Sequence, residues 1–202
     1  MAALIFLGVD ESTTEVTMSV KLQVLVVYES MFGNTEMVAE AIADGLRAGA
    51  EVELVEVGAA PAKLGSALDL LVVGGPTHAF GMTRPSTRTD ASTKGPVVMS
   101  PDIGMREWIG ALADRQGRVT TATFDTRMIK GSRLPGSAAR GAARLLRRRG
   151  FPMLVPPESF YVEGVLGSLL DGETGRAQRW GKDLQSAVSQ LATSPGKSPT
   201  AL

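Results

Sequence analysis

The chain predicts a parallel α/β sheet with helices on both faces, and three observations point to it. Short apolar, β-branched segments alternate along the chain with longer segments of helical period. Residues 68–74, Leu-Asp-Leu-Leu-Val-Val-Gly, form a nearly continuous apolar run, as expected of a strand covered on both faces. The 202 residues show no internal repeat and no second-domain boundary, and that length suits one domain with a substantial core.

Taken in order, residues 21–28 read as strand 1, ending at Tyr28. Residues 35–49 read as helix 1, with Val38, Ala41, Ile42 and Leu46 at helical spacing and Gly49 near its end. Residues 51–57 alternate polar and apolar, which fits an edge strand, and residues 68–74 make strand 3. The polar stretch 85–95 reads as a long loop, and loops of that length are either functional lids or simply mobile. A helix is expected near residues 103–112, where Met105, Trp108, Ile109 and Leu112 share a face. Residues 118–124 make strand 4 and residues 137–149 a further helix. Strand 5 is expected at 153–155, extending to 161 through a Pro-containing bend. The last helix covers 174–191, with Ala177, Trp180, Gly181, Leu184, Val188 and Leu191 on one face.

The fold is expected within residues 20–192. Residues 1–19 read as an extension outside the native fold, because Met18 stands just before strand 1; the alternative is a genuine extra strand or arm. Residues 2–9 are apolar, but too few to span a bilayer, and acidic residues follow them, so neither a membrane anchor nor a secretory signal is expected. Residues 193–202 read as a frayed tail.

Composition narrows the function. Apolar content is 44% and charged content 21%, which is a globular balance. Lys+Arg and Asp+Glu are equal at 21 each, so no overall field draws the chain to nucleic acid or membrane. There is no cysteine, which excludes disulfides, thiolate metal sites and cysteine catalysis and fits a reducing, cytoplasmic compartment. The single histidine, His78, cannot build a metal site or a catalytic triad without partners, and no catalytic or metal-ligating set is evident.

The chemistry concentrates where strand 1 turns into helix 1, at Glu29-Ser30-Met31-Phe32-Gly33-Asn34-Thr35. Backbone N–H groups at a helix start form an anion site, and Ser30 and Thr35 add hydroxyl donors. The loop has no Lys or Arg and lacks the Walker pattern, so neutral donors around a small terminal phosphate fit better than a magnesium triphosphate. Seen alone, the same residues also describe an ordinary connection capped by Asn34 or Thr35.

Ser30-x-x-Gly33-Asn34-Thr35 after an apolar strand resembles the phosphate loop of flavodoxins. The resemblance implies a flavodoxin-like three-layer α/β sandwich, a five-stranded parallel sheet of order 2-1-3-4-5, and FMN held by Ser30, Gly33, Asn34 and Thr35, with backbone groups of Met31 and Phe32. Ligands of such sheets bind at the carboxyl ends of the strands beside the switch point, a rule for which flavodoxin is itself a stock example. After strand 3, Gly74-Gly75-Pro76-Thr77-His78-Ala79-Phe80-Gly81-Met82 resembles the second flavin loop, and also that of flavodoxin-like NAD(P)H:quinone oxidoreductases. It implies ring contacts from Pro76, Thr77, His78 and Phe80, with Gly81 supplying the flexible peptide that tunes redox potential. Residues 123–128 occupy the place of the third loop, implicating Thr123, Phe124, Asp125 and Arg127. Many flavodoxins stack a Tyr there; Arg127 is the flat substitute, or else an ordinary surface arginine.

The resemblance implies an FMN protein carrying electrons between protein partners. The near-neutral charge departs from the acidic character of such shuttles and keeps open an enzyme that takes hydride from NAD(P)H to reduce a quinone. A fold that has lost its flavin is a third reading. The arginines Arg144, Arg147, Arg148 and Arg149 end a predicted helix, where they either complement its dipole or form a docking patch for an acidic redox partner or a nicotinamide phosphate.

Overall fold

In the computed structural model, which describes residues 21–93, 103–113, 119–129, 136–164 and 166–193, the first apolar segment is β1, Leu22–Tyr28. Val24 to Val27 are all buried, so both faces of this strand are covered. It is followed by α1 (Asn34–Leu46), β2 (Ala50–Glu56), β3 (Leu70–Pro76), α2 (Pro85–Ser92), α3 (Met105–Ala111), β4 (Thr120–Met128), α4 (Ala138–Arg148), β5 (Glu158–Val162) and α5 (Glu173–Thr193). The five strands form one sheet of order β2-β1-β3-β4-β5 with every pair parallel. The expected class and strand order are therefore met.

Alternate side chains of the central strands feed two cores. Val24, Val26, Leu70, Val72, Ala122 and Phe124 meet α1 and α5 on one face. Leu25, Val27, Leu71 and Val73 meet Met105, Trp108, Ile109, Ala142 and Leu146 on the other. On the first face α1 and α5 touch backbone to backbone. A Cβ on Gly45 would lie 2.1 Å from the Gln178 carbonyl oxygen, and one on Gly181 would lie 2.3 Å from that of Ile42. Phe124, Phe160 and Trp180 meet edge to face at 6.1–6.3 Å, below the Arg176 guanidinium, which lies 4.3 Å from the Phe160 ring centroid.

Four expectations change. Residues 85–92 are not a loop but α2. Pro85 supplies its preset φ at the helix start, and the Arg84 N–H donates to Thr87 Oγ1 at 2.8 Å. The buried Arg88 and Ala91 then dock the helix. Strand 5 begins at Glu158; Met153 makes only an isolated bridge to Thr121, because Pro156 and Pro157 cannot donate to a ladder. β4 runs on to Met128, so Thr123 to Met128 are strand rather than loop. Leu191 is 44% exposed and leaves the buried face of α5, on which Ala177, Leu184 and Val188 remain. The expectations for residues 1–19 and the tail 194–202 lie outside the described residues, as does the start of strand 4 at Arg118. Among the described residues, no helix is long and apolar enough to cross a membrane.

Candidate functional site

The strand register brings three segments to one edge. Tyr28 pairs with Gly74, which pairs with Phe124. Past that level the Glu29 N–H donates to the Gly74 carbonyl at 2.9 Å, and the Thr77 N–H to the Thr126 carbonyl at 2.9 Å. The loop after β1, the loop after β3 and the end of β4 thus converge where the strand order reverses. They enclose a cavity of about 290 Å³. Of the residues singled out from sequence, Met31, Phe32, Asn34, Thr35, Pro76, Thr77, His78 and Arg127 line it. Ala79, Thr87, Asp90, Thr126, Met128, Val162 and Gly164 line it too. Of these, Thr87, Asp90, Val162 and Gly164 were not singled out from sequence, because α2 and the end of β5 reach the cavity only through tertiary packing.

The first loop is an open donor set. Gly33, at φ +88°, turns the chain into α1, and no side chain caps the helix. Ser30 is buried, and its Oγ has no hydrogen-bond partner among the described residues. A buried hydroxyl without a partner is costly and asks for an explanation. Thr35 Oγ1 lies 2.7 Å from Thr126 Oγ1. One hydroxyl of that pair donates to the other, so a second hydrogen remains to be donated. Asn34 Nδ2 donates to the Gly167 carbonyl at 2.7 Å and ties the loop to the segment after β5. Tyr28 Oη donates to Glu36 Oε1 at 2.9 Å, closing strand and helix over the loop. Burial first, and then Glu36, raise the Tyr28 pKa, so the phenol keeps its proton.

Glu29, immediately before Ser30, is fully buried and was not singled out from sequence. It accepts from Thr83 Oγ1 and from the Met105 N–H at 2.9 Å, joining the first loop to the second and to α3. Arg88 extends this network to Glu107 at 3.1 Å. Burial raises the Glu29 pKa above its ordinary value, and these hydrogen bonds offset part of the rise.

The second loop is a tight turn. His78 and Gly81 exchange backbone hydrogen bonds of 2.9 and 3.0 Å. Ala79 and Phe80 between them take φ of +43° and +67°, the left-handed region that side chains resist. The strained residues are therefore Ala79 and Phe80. Gly81 is outside that region, and a Cβ there would meet nothing within 4 Å. Gly74 serves close approach instead, since a Cβ would fall 2.0 Å from the Phe124 ring. Phe80 and Gly81 face a second cavity and do not line the first.

The β4 residues divide. Arg127 lines the cavity. Phe124 belongs to the core, and Thr123 is buried with a hydroxyl that has no partner among the described residues. The Asp125 side chain turns away to close the start of α4. Its Oδ2 accepts from Thr77 Oγ1 at 2.8 Å, Ser137 Oγ at 2.5 Å and the Ala139 N–H at 3.0 Å. Among the described residues no group of three or more His, Cys, Asp or Glu is placed to hold a metal.

A family model describing flavodoxins matches residues 26–91, from β1 through α2, and so includes the first two loops. No curated protein matches the chain. Among solved structures, a flavodoxin from the domain Archaea superposes with a TM-score of 0.56 at 20% identity, covering 83% of this chain and 99% of its own. A Streptococcus pneumonia TIGR4 flavodoxin gives 0.56 at 19% identity, covering 81% and 98%. Oxidised Flavodoxin 2 from Bacillus cereus gives 0.56 at 18%, covering 84% and 99%. The chain is flavodoxin-like in fold and in its family match.

Proposed function

We propose that the protein binds FMN noncovalently in the first cavity and carries electrons between protein partners. The observation that carries this reading is the buried, partnerless Ser30 hydroxyl beside the uncapped start of α1. A phosphate there would accept from Ser30, from the N–H groups at the helix start and from the Thr35–Thr126 hydroxyl pair. The donors are neutral, which suits the end of one phosphate monoester. Pro76, Thr77 and His78 on one side and Thr126, Arg127 and Met128 on the other then flank the room for a ring. When bound, the flavin supplies the one- and two-electron chemistry, while the protein binds, orients and shields it.

The second reading, an enzyme that reduces a quinone with NAD(P)H, is favoured by one observation: a second cavity shares His78, Ala79 and Thr87 with the first, leaving room for a substrate beside the flavin. The absence of cysteine supports a reducing cytosol as the compartment. The test is direct. Purified protein should be yellow, with FMN released on denaturation. FMN should bind much more tightly than riboflavin, which lacks the phosphate. Colourless protein that takes up no FMN would leave only the third reading, a module without flavin. NADPH oxidation in the presence of a quinone would replace the carrier by the enzyme.

A further inference from the structure

The second cavity has a different chemistry from the first. It encloses about 460 Å³, and Arg84, Arg106, Arg140, Arg144 and Arg148 stand on its walls. Three of these arginines lie at i, i+4 and i+8 along α4, one stripe on the helix surface. Like charges at that spacing repel, and α4 contains no acidic residue to relieve them. Arg148 is placed well for the helix dipole, being in the last turn. Arg140 is not: it follows the Ser137 N-cap by three residues, at the positive end of the dipole. Among the described residues no carboxylate pairs with any of the five. Arg106 is held in place by the carbonyls of Thr83 and Met82, each at 3.4 Å from a guanidinium nitrogen. Arg84, Arg140, Arg144 and Arg148 are exposed and Arg106 is half-buried; the helix dipole does not account for the set, because Arg140 opposes it, and the charges converge on one concavity.

We propose that this cavity binds a small molecule bearing two or more phosphate groups. Guanidinium groups match phosphate oxygens bidentately. From Arg140 to Arg148 the stripe rises about 12 Å at 1.5 Å per residue, room for a pyrophosphate and a further phosphate. The concave shape favours a small ligand over a flat protein face. Because the two cavities share the His78–Ala79 wall, such a ligand would end beside the first cavity. Binding here does not rest on the flavin reading.

The experiment is calorimetric titration of the full chain at low salt with tripolyphosphate, ATP, NADPH and NADH, repeated on Arg140→Gln/Arg144→Gln. Saturable binding is expected, about tenfold or more weaker in the double variant. FMN affinity should stay at the parent's value, since neither arginine lines the first cavity, and melting temperature should not fall, since the variant relieves like-charge repulsion. Equal binding of tripolyphosphate, ATP and NADPH would identify the phosphate chain as the feature read. NADPH binding tightest, with NADH weaker, would identify a phosphorylated dinucleotide. The proposal is overturned if no ligand saturates by about 1 mM, or if the double variant binds like the parent. It is equally overturned if only an acidic polypeptide such as polyglutamate binds, which would make the face a protein-docking surface. Protein that holds FMN but ignores polyphosphates fails this inference alone; the converse fails only the flavin reading.

Discussion

Two helices, α1 and α4, start at the same edge of the sheet, and the two starts are built in opposite ways. At α4 the Ser137 side chain accepts from the Arg140 N–H at 3.1 Å, Asp125 takes the Ala139 N–H, and Thr77 Oγ1 takes that of Ala138 at 2.8 Å. The protein's own carboxylate occupies the place of an anion. At α1 a glycine stands at the cap, no side chain accepts, and a buried serine hydroxyl is left over. The chemistry of the two sequences is similar, with Ser, Thr and amide or acid groups around both. A helix start is a ligand site only where the rest of the fold withholds an acceptor.

The largest test of this contrast is Asp125→Ala. It takes the acceptor away from three donors at once, and a buried donor left unsatisfied costs about 1–3 kcal/mol. Urea unfolding should show that loss whether or not FMN is present. A change below about 1 kcal/mol would mean that the α4 start does not need its internal anion.

The mirror experiment is Ser30→Ala. A hydrogen bond to a charged group contributes about 1.5–3 kcal/mol, so FMN should bind roughly ten- to a hundredfold more weakly. The flavin-free protein should be as stable as the parent or slightly more stable, because the variant loses a buried hydroxyl without a partner. A variant destabilised without flavin, but unchanged in FMN affinity, would make Ser30 structural.

Gly33→Ala isolates the backbone. The added Cβ meets nothing within 4 Å, so the expected cost of about 1–2 kcal/mol comes from the positive φ alone. Thermal unfolding of the flavin-free protein reads it. At Ser137 the backbone is ordinarily extended, so Ser137→Ala should lose only side-chain bonds, the cap at about 1 kcal/mol and the hydrogen bond donated to Asp125 at about 1 kcal/mol more.

The smallest effect is a pH dependence at Glu29, beside the open loop. Its folded pKa lies above the ordinary 4.5, so the folded state holds this proton more tightly than the unfolded chain. That contribution is complete below about 4.5 and is lost as pH rises through the folded value. Glu173 has the opposite sign. Burial alone would raise its pKa, but Arg176 and the Tyr161 N–H hold it below 4.5, and its contribution is lost as pH falls. Glu29→Gln should remove only the loss on the alkaline side. Identical stability–pH curves for parent and variant would show that Glu29 does not titrate in this range.

Sequence legibility followed the locality of the signal. Val24 to Tyr28 and Val38 to Leu46 reveal their elements because a strand or a helix buries one set of neighbours in a fixed period. The loop between them is short, so its hydroxyls can be assigned to one place. Residues 85–92 were misread because helix α2 depends on Arg88 being buried against Glu107 and Thr83, partners that its own polar composition does not announce. The position of Asp125 after an apolar run assigns its backbone to the third loop and says nothing of where its carboxylate turns.

By itself, then, the sequence determined the alternation of strands and helices, the parallel sheet and a short hydroxyl-bearing loop after β1, since period and turn chemistry act between near neighbours. Only the tertiary structure decided that Asp125 fills one helix start while Ser30 stays unpaired at the other. It also put the strain of the second loop on Ala79 and Phe80 and gathered arginines from the residue before α2, from α3 and from α4 around one cavity. Those outcomes depend on which hydrogen-bonding and charged groups meet across long sequence separations, and satisfaction of a buried polar group is a property of the assembled surroundings and not of the residue.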